Sequence, residues 1–246
     1  MTTILGASTS GMVAAQSMLD HVGANIANFQ SIAYKRERAI AEGLPDDTQL
    51  PERARLGVAV TETDMIFSFG SPIATGDPLN FAITDDALFR VTTFSGDRAY
   101  TRVGRLDVDA AGQVTLFGQF LDPRITLPEG ARSAAISPNG AFTAIDAAGN
   151  ALELGTIELV RFANAKGLRD IGGGLYTETA NSGAIVQGRA GDGNFAALMT
   201  GFLEGSNVDI AEEMAQMLIA QRTYQANAKS FIIGDEMLKV ATNLTR

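Results

Sequence analysis

Residues 206–244 read SNVDIAEEMAQMLIAQRTYQANAKSFIIGDEMLKVATNL, and no proline occurs from Gly201 to Arg246. Ile210, Met217, Tyr224, Phe231 and Leu238 recur at sevens, with Met214 and Ala228 in a second row that Gln221 and Asp235 interrupt. A seven-residue apolar repeat is the signature of a helix that packs along its length against another. Ser206 and Asn207 suit the N-cap, and Asp209, Glu212 and Glu213 put negative charge in the first turns, where the helix dipole favours it. The spacing predicts a helix over 207–244, about 57 Å long at 1.5 Å per residue. That is too long for the core of a chain of 246 residues, so the helix needs a partner along its length, in a helical pair or in a bundle with other chains.

The other end of the chain supplies one. Leu5, Ser8, Met12, Ala15, Leu19, Val22 and Ile26 follow alternating steps of three and four. Leu5, Met12, Leu19 and Ile26 form a large row, and Ser8, Ala15 and Val22 a small row that permits close helix approach. Gly6, Gly11 and Gly23 each weaken the isolated helix by roughly 1 kcal/mol, so this helix also depends on tertiary contacts. Met12, Met18, Met214 and Met217 fit either adaptable contacts between unequal neighbours or ordinary core filling.

Between the ends the period changes. Pro45, Asp46, Asp47 and Pro51 break the helical pattern, and residues 41–57 read as an extended connector. From Val58 short β-like runs alternate with turn residues; the best are 81–83, 88–93, 98–108, 114–120, 125–127 and 156–162. The pentapeptide Asp109-Ala110-Ala111-Gly112-Gln113 recurs as Asp146-Ala147-Ala148-Gly149-Asn150, each between β-rich runs, as hairpin turns would be. The expected fold is therefore mixed with segregated α and β parts. N- and C-terminal helices pair in a coiled-coil-like domain, and an all-β domain is inserted between them. The predicted organisation is residues 1–40 and 201–246 for the helical domain, 41–75 for the connector and 76–200 for the β domain.

Composition narrows the function. Lysine and arginine total 19 against 28 acidic residues, a net charge of −9, which disfavours a nucleic-acid binder or a protein adhering to anionic membranes. No stretch is long and apolar enough to insert in a bilayer. Cysteine is absent and His21 is the single histidine, which removes thiolate sites and most histidine-centred catalysis. The start, MTTILGASTSGM, lacks the basic and apolar regions of a cleaved signal peptide. Asp107–Gly112 resembles the opening of a calcium loop, but Gly118 stands where the closing carboxylate belongs, so a turn is the better reading. Gly172-Gly173-Gly174 lacks a following phosphate-loop lysine and reads as a turn. Asp85-Asp86 and Glu212-Glu213 are adjacent pairs whose side chains diverge, so they read as solvated or capping groups rather than acid–base dyads. His21 reads as a polar helix-surface residue. No catalytic, cofactor-binding or metal-binding residues are expected.

Several segments resemble a known family. Ala24-Asn25-Ile26-Ala27-Asn28, followed by Tyr34-Lys35-Arg36, is similar to the N-terminal A-N-N-L-A-N…T-G-F-K signature of flagellar rod and hook proteins. Here Ala33 stands at the turn glycine and Tyr34 at the phenylalanine. Leu203-Glu204-Gly205-Ser206-Asn207-Val208 resembles the family's L-E-x-S-N-V, and it is followed by Glu212-Glu213-Met214 and Gln221-Arg222-Thr223-Tyr224. Ala99-Tyr100-Thr101-Arg102 matches its A-Y-T-R. The tail and Leu175–Thr179 look most like members from the distal part of the rod; a proximal rod or hook-type axial protein is the alternative. The resemblance implies terminal helices that polymerise into a tube, with the β domain outside and Asn25 and Asn28 satisfying backbone groups where the first helix ends. It also implies export by the flagellar type III apparatus to a periplasmic basal body. Partners would be further copies, adjacent rod and hook proteins and surrounding ring proteins. The assembly residues would then be Leu5, Met12, Leu19, Val22, Asn25, Ile26, Asn28, Ile210, Met214, Met217, Tyr224, Phe231 and Leu238. A secreted coiled-coil adhesin would share the helices without these motifs. A carbohydrate-active β domain would need separated carboxylates and aromatic platforms, yet tryptophan is absent and tyrosines number four.

Overall fold

The computed structural model describes residues 2–43, 57–128, 130–131, 133–146 and 150–244. Its contacts divide the chain into two units, residues 1–29, 36–66 and 208–246 in the first and 30–35 and 67–207 in the second.

The first unit holds two helices, α1 (Thr2–Ala27) and α2 (Ile210–Leu244), and an antiparallel strand pair, β1 (Glu37–Gly43) and β2 (Val58–Met65). The helices pack on each other, and α1 also packs on both strands. Ala14, Ala15 and Val22 of α1 and Ala220 of α2 are buried. The terminal helices thus pair, as the heptad spacing predicted, but the inward row of α2 differs from expectation. Glu213, Ala220 and Gly234 are buried and Asn227 is half-buried, whereas Met214 of the predicted second row is 62% exposed. The physical reason is close approach. A Cβ on Gly11 would lie 2.7 Å from the Asn227 side chain, and one on Gly234 would lie 3.1 Å from Leu5 Cδ2. Small residues bring the helix backbones nearer than a methionine row would allow.

The start of α2 also differs. Asp209, not Ser206 or Asn207, is the N-cap: its Oδ1 accepts hydrogen bonds from the amides of Ala211 (2.8 Å) and Glu212 (3.3 Å). Asn207 instead donates to the backbone oxygen (3.2 Å) and the hydroxyl (3.0 Å) of Ser68. Where an extended connector was expected from residue 41, β1 continues to Gly43 and β2 begins at Val58. Pro45, Asp46, Asp47 and Pro51 lie outside the described residues. In β1, Ala39, Ile40 and Ala41 are half-buried without clean alternation, because a bulge falls between Ile40 and Ala41.

The second unit is built of short antiparallel strands, the largest sheet having nine among the described residues. Its core gathers Phe81, Ile83, Phe89, Val91, Leu116, Phe142, Leu159 and Phe195, among others. Three predicted runs are broken, and 125–127 keeps only an isolated bridge of Thr126 with Gln113. Run 156–162 divides at Ile157 between strands 151–156 and 158–162. Strand 98–101 stops and 106–108 begins anew, because Gly104 passes so near the Phe81 carbonyl that a Cβ there would lie 1.7 Å from its oxygen. Run 114–120 is a hairpin, 114–116 with 119–121, turning through Phe117 (φ 51°) and Gly118 (φ 76°). Two successive positive φ values are the geometry of a tight hairpin turn. Asp109–Gln113 is a turn as expected: the Asp109 carboxylate accepts the amides of Ala111 (2.9 Å) and Gln113 (2.7 Å), and Gly112 has φ 76°. In the second copy of this motif the amide of Asn150 donates to Asp146 (2.8 Å), while residues 147–149 lie outside the described residues.

Candidate functional site

The motif residues quoted above converge into two polar clusters, one in each unit. In the second unit Glu204 is fully buried between two cations. Lys35 Nζ donates to Glu204 Oε1 and, at 2.8 Å, to the carbonyl of Ser68. Arg102 Nε donates to Glu204 Oε2 at 2.9 Å. The other Arg102 nitrogens reach the carbonyls of Asp85 (2.5 Å), Ile83 (3.2 Å) and Ala87. The Gly70 amide donates to Glu204 Oε1 at 3.1 Å. The backbone joins in, since the Ala33 amide donates to the Glu204 carbonyl at 2.8 Å. Burial pushes the Lys35 ammonium down to about 8, against the pull of the Glu204 carboxylate and with the help of the Arg102 charge. Ala33, standing where the family has a turn glycine, adopts φ 54°.

In the first unit Asn25, near the end of α1, is buried and three-way bonded. Its Nδ2 donates to the Glu37 carbonyl (2.8 Å) and to Glu213 Oε2 (3.1 Å), while its Oδ1 accepts the Glu37 amide at 3.0 Å. Arg36 pairs with Glu213 at 2.6 Å and with Glu212 at 2.8 Å. The Asn28 side-chain amide donates to the Ala24 carbonyl at 3.0 Å, an oxygen that also accepts the Asn28 backbone amide at 3.1 Å. Asn28 therefore bonds a backbone group at the end of α1, whereas Asn25 satisfies the amide and carbonyl of Glu37 at the start of β1. Glu213 overturns the solvated reading of its pair: its side chain is 1% exposed, against 52% for Glu212. Asp85 is likewise bound, to Arg161 at 2.7 Å and to the Ala196 amide at 2.9 Å. His21 is half-buried, 3.4 Å from the Glu37 carboxylate.

Neither cluster was foreseen as a cluster. Lys35, Arg102 and Glu204 are far apart in sequence, and only their places inside the family motifs could have singled them out. The charges are paired in each cluster, two cations on one anion in the second unit and one cation on two anions in the first, and among the described residues no group of three histidine or acidic side chains could hold a metal. What the clusters do chemically is hold distant segments together.

Of the predicted assembly residues, Val22 and Asn25 are buried, and Leu5, Met12, Leu19, Ile26, Asn28, Met217 and Leu238 are half-buried. Ile210, Phe231 and Tyr224 remain 36–40% exposed. Large apolar side chains that the heptad reading did not select, among them Leu218, Ile219, Ile232 and Ile233, stand 47–58% exposed on α2. No helix among the described residues is long and apolar enough to cross a membrane.

Paired terminal helices, an inserted β unit and motif residues locked inside both define the rod and hook class of flagellar axial proteins. Residues 199–244 match the model for the C-terminal region of flagellar basal body rod FlgEFG proteins, and residues 82–144 match that for the flagellar hook protein FlgE/F/G D1 domain. The flagellar basal-body rod protein FlgG of Bacillus subtilis is 36% identical, across 96% of this chain and 97% of its own length. That of Borreliella burgdorferi is 35% identical over the whole of both chains. The Escherichia coli flagellar hook protein FlgE is 44% identical, but over only 37% of this chain and 23% of its own. The chain belongs to the flagellar basal-body rod protein FlgG family. Nothing in these matches supports an adhesin.

Proposed function

We propose that the chain is a structural subunit of the bacterial flagellar basal-body rod. It polymerises through α1 and α2 into the axial shaft that transmits torque to the hook, and it has no enzymatic role and no cofactor. The observation that carries this reading is similarity to rod proteins over essentially the full chain. The apolar side chains that α2 leaves in water support it. Burying them against neighbouring copies, at roughly 25 cal/mol per Å², offsets the cost of ordering the helices.

The helices pair in a coiled-coil-like seam along Leu5, Met12, Leu19 and Ile26 and along Met217, Tyr224, Phe231 and Leu238. Ile210 and Met214 reach outward to other copies. Asn25 and Asn28 fix the end of α1, and Val22 seals the seam beside them. Residues 76–200 form the outer β domain. Export runs through the flagellar type III apparatus without a cleaved signal peptide, and the assembled subunit sits in the periplasm. Its neighbours are rod and hook proteins along the axis and ring proteins around it.

The test is immunogold labelling of isolated hook–basal bodies with an antibody against residues 76–195. Label between the inner membrane ring and the hook junction is expected, towards its distal end. Absence of label anywhere on the structure would overturn the reading.

A further inference from the structure

Asn139-Gly140 and Asp192-Gly193 are the two places in the chain where an asparagine or aspartate precedes a glycine. That pairing closes a succinimide most readily, because glycine has no Cβ to keep its amide nitrogen away from the preceding side-chain carbonyl carbon. In an unstructured peptide the asparagine reacts first, since a neutral amide can expel ammonia while a carboxylate must first take up a proton. The fold treats the two sites in opposite ways.

Asn139 stands in the turn between the paired strands 133–136 and 141–145. Gly140 is buried there; its amide donates to the Ser137 carbonyl at 2.8 Å and its carbonyl accepts the Ile157 amide at 2.8 Å. The Asn139 Oδ1 accepts the Ala141 amide at 3.2 Å. Nucleophile and electrophile are both engaged, so attack waits for the hairpin to open. Asp192 and Gly193 lie on an exposed turn. The Asp192 amide donates to the Arg189 carbonyl at 3.2 Å, and the Phe195 amide to the Asp192 carbonyl at 2.8 Å. Among the described residues neither the Asp192 carboxylate nor the Gly193 amide makes a hydrogen bond or ion pair. Nothing lies within 4 Å of where a Cβ on Gly193 would stand.

We infer that Asp192–Gly193 is the site at which the folded chain forms isoaspartate, while Asn139–Gly140, the faster pair by sequence, is held unreactive. The Gly193 nitrogen attacks Cγ of the protonated Asp192 carboxyl. The new C–N bond closes a five-membered imide, and the carboxyl hydroxyl departs with the amide proton as water. Water then adds to the imide. Cleavage between the Asp192 backbone carbonyl and the Gly193 nitrogen leaves the chain running through Cβ and Cγ, with the former backbone carbonyl as a free carboxylate; cleavage at Cγ returns aspartate. One water leaves and one returns, so the mass is unchanged and the backbone gains one atom. The core feels that atom. Phe195 is buried, its ring fills the space where a Cβ on Gly188 would stand, and the Arg161 guanidinium lies 5.0 Å from the ring centre. The isoaspartyl chain therefore melts at a lower temperature.

The full-length protein is incubated for weeks in neutral buffer, folded or in guanidinium chloride. Peptide maps are read by mass spectrometry with electron-transfer fragmentation, which separates isoaspartate from aspartate of the same mass. Folding is expected to slow deamidation of Asn139 roughly a hundredfold, because three hydrogen bonds must open first, and to leave isoaspartate formation at 192 within about tenfold of its unfolded rate. Deamidation of folded Asn139 within about tenfold of its unfolded rate overturns the inference, as does slowing at 192 beyond that limit. Gly193→Ala, which the open space accommodates, keeps the fold and lowers isoaspartate at 192 at least about tenfold. Undiminished isoaspartate at 192 in that variant would overturn the assignment of the Gly193 amide as nucleophile.

Discussion

Glu204→Gln is the most informative single change in the second unit. The wild-type cluster holds two cations and one anion with side chains at most 2% exposed. The substitution keeps the shape, removes the negative charge and turns an amide N–H towards Arg102 Nε, which is itself a donor. Two buried cations are then left without a counter-charge, and breaking such a pair costs about 3–5 kcal/mol. Against a total stability of about 5–15 kcal/mol, that is a third or more of what holds a domain folded. Lys35→Met is milder, about 1–3 kcal/mol, because Arg102 and Glu204 stay paired and only the Lys35 hydrogen bonds are lost. Urea denaturation followed by circular dichroism reads both. The same titration has a pH signature. Lys35 lies at about 8 when folded against 10.5 unfolded, so between those values the unfolded chain binds more protons and stability rises with pH. The gain approaches roughly 3 kcal/mol at 1.36 per unit, and it is absent below pH 8, where the folded ammonium is charged. Lys35→Met abolishes that rise. A Glu204→Gln cost below about 1 kcal/mol would mean that water reaches the cluster, and the argument from buried charge would fail.

Other perturbations follow from the geometry. Asn25→Asp faces the Glu213 carboxylate, 3.1 Å from the Asn25 amide nitrogen, with a second negative charge; a loss of about 2–3 kcal/mol is expected in thermal melts monitored at helical wavelengths. Leu19→Asp or Phe231→Asp should abolish filament formation in electron micrographs while tyrosine fluorescence shows the β unit still folded; filaments from either variant would sink the seam assignment. Gly104→Ala drives a Cβ against the Phe81 oxygen and should leave little soluble protein. Gly6→Ala, with open space around it, should stabilise α1 by about 1 kcal/mol and raise helix content.

Periodicity made the helices legible. A seven-residue apolar recurrence constrains which face turns inward, and it located α2 to within three residues at its start. It misassigned one row because the helices meet through Ala220 and Gly234, and small residues carry little hydrophobic signal. Turn chemistry made the Asp109–Gln113 hairpin legible, since aspartate and glycine each do a specific thing there. The Phe117–Gly118 turn was not, because phenylalanine is a poor choice for positive φ. The clusters were the least legible of all. A buried lysine, arginine or glutamate looks in sequence like a surface residue, and its burial is decided by partners 102 and 169 residues away.

Those separations explain what the terminal motifs accomplish physically. Residues near 25 and near 213 cannot find each other by local propensity, and apolar faces alone would let two helices slide by a turn at modest cost. A buried Asn25 that must satisfy both Glu37 and Glu213 forbids the slide, because a shift strands polar groups away from water at about 1–3 kcal/mol each. Small residues at the helix contact make the same demand sterically, since Gly11 accepts only what sits opposite it now. Register fixed inside a subunit is what a polymer requires. Every copy then presents its outward side chains at the same height, and a contact that works between two copies works between all of them. On this reasoning loosening the register, as Asn25→Ala would, damages assembly more than it damages folding. Irregular or branched aggregates from a still helical protein are the expected result, and normal filaments from that variant would show that outward packing alone sets the register.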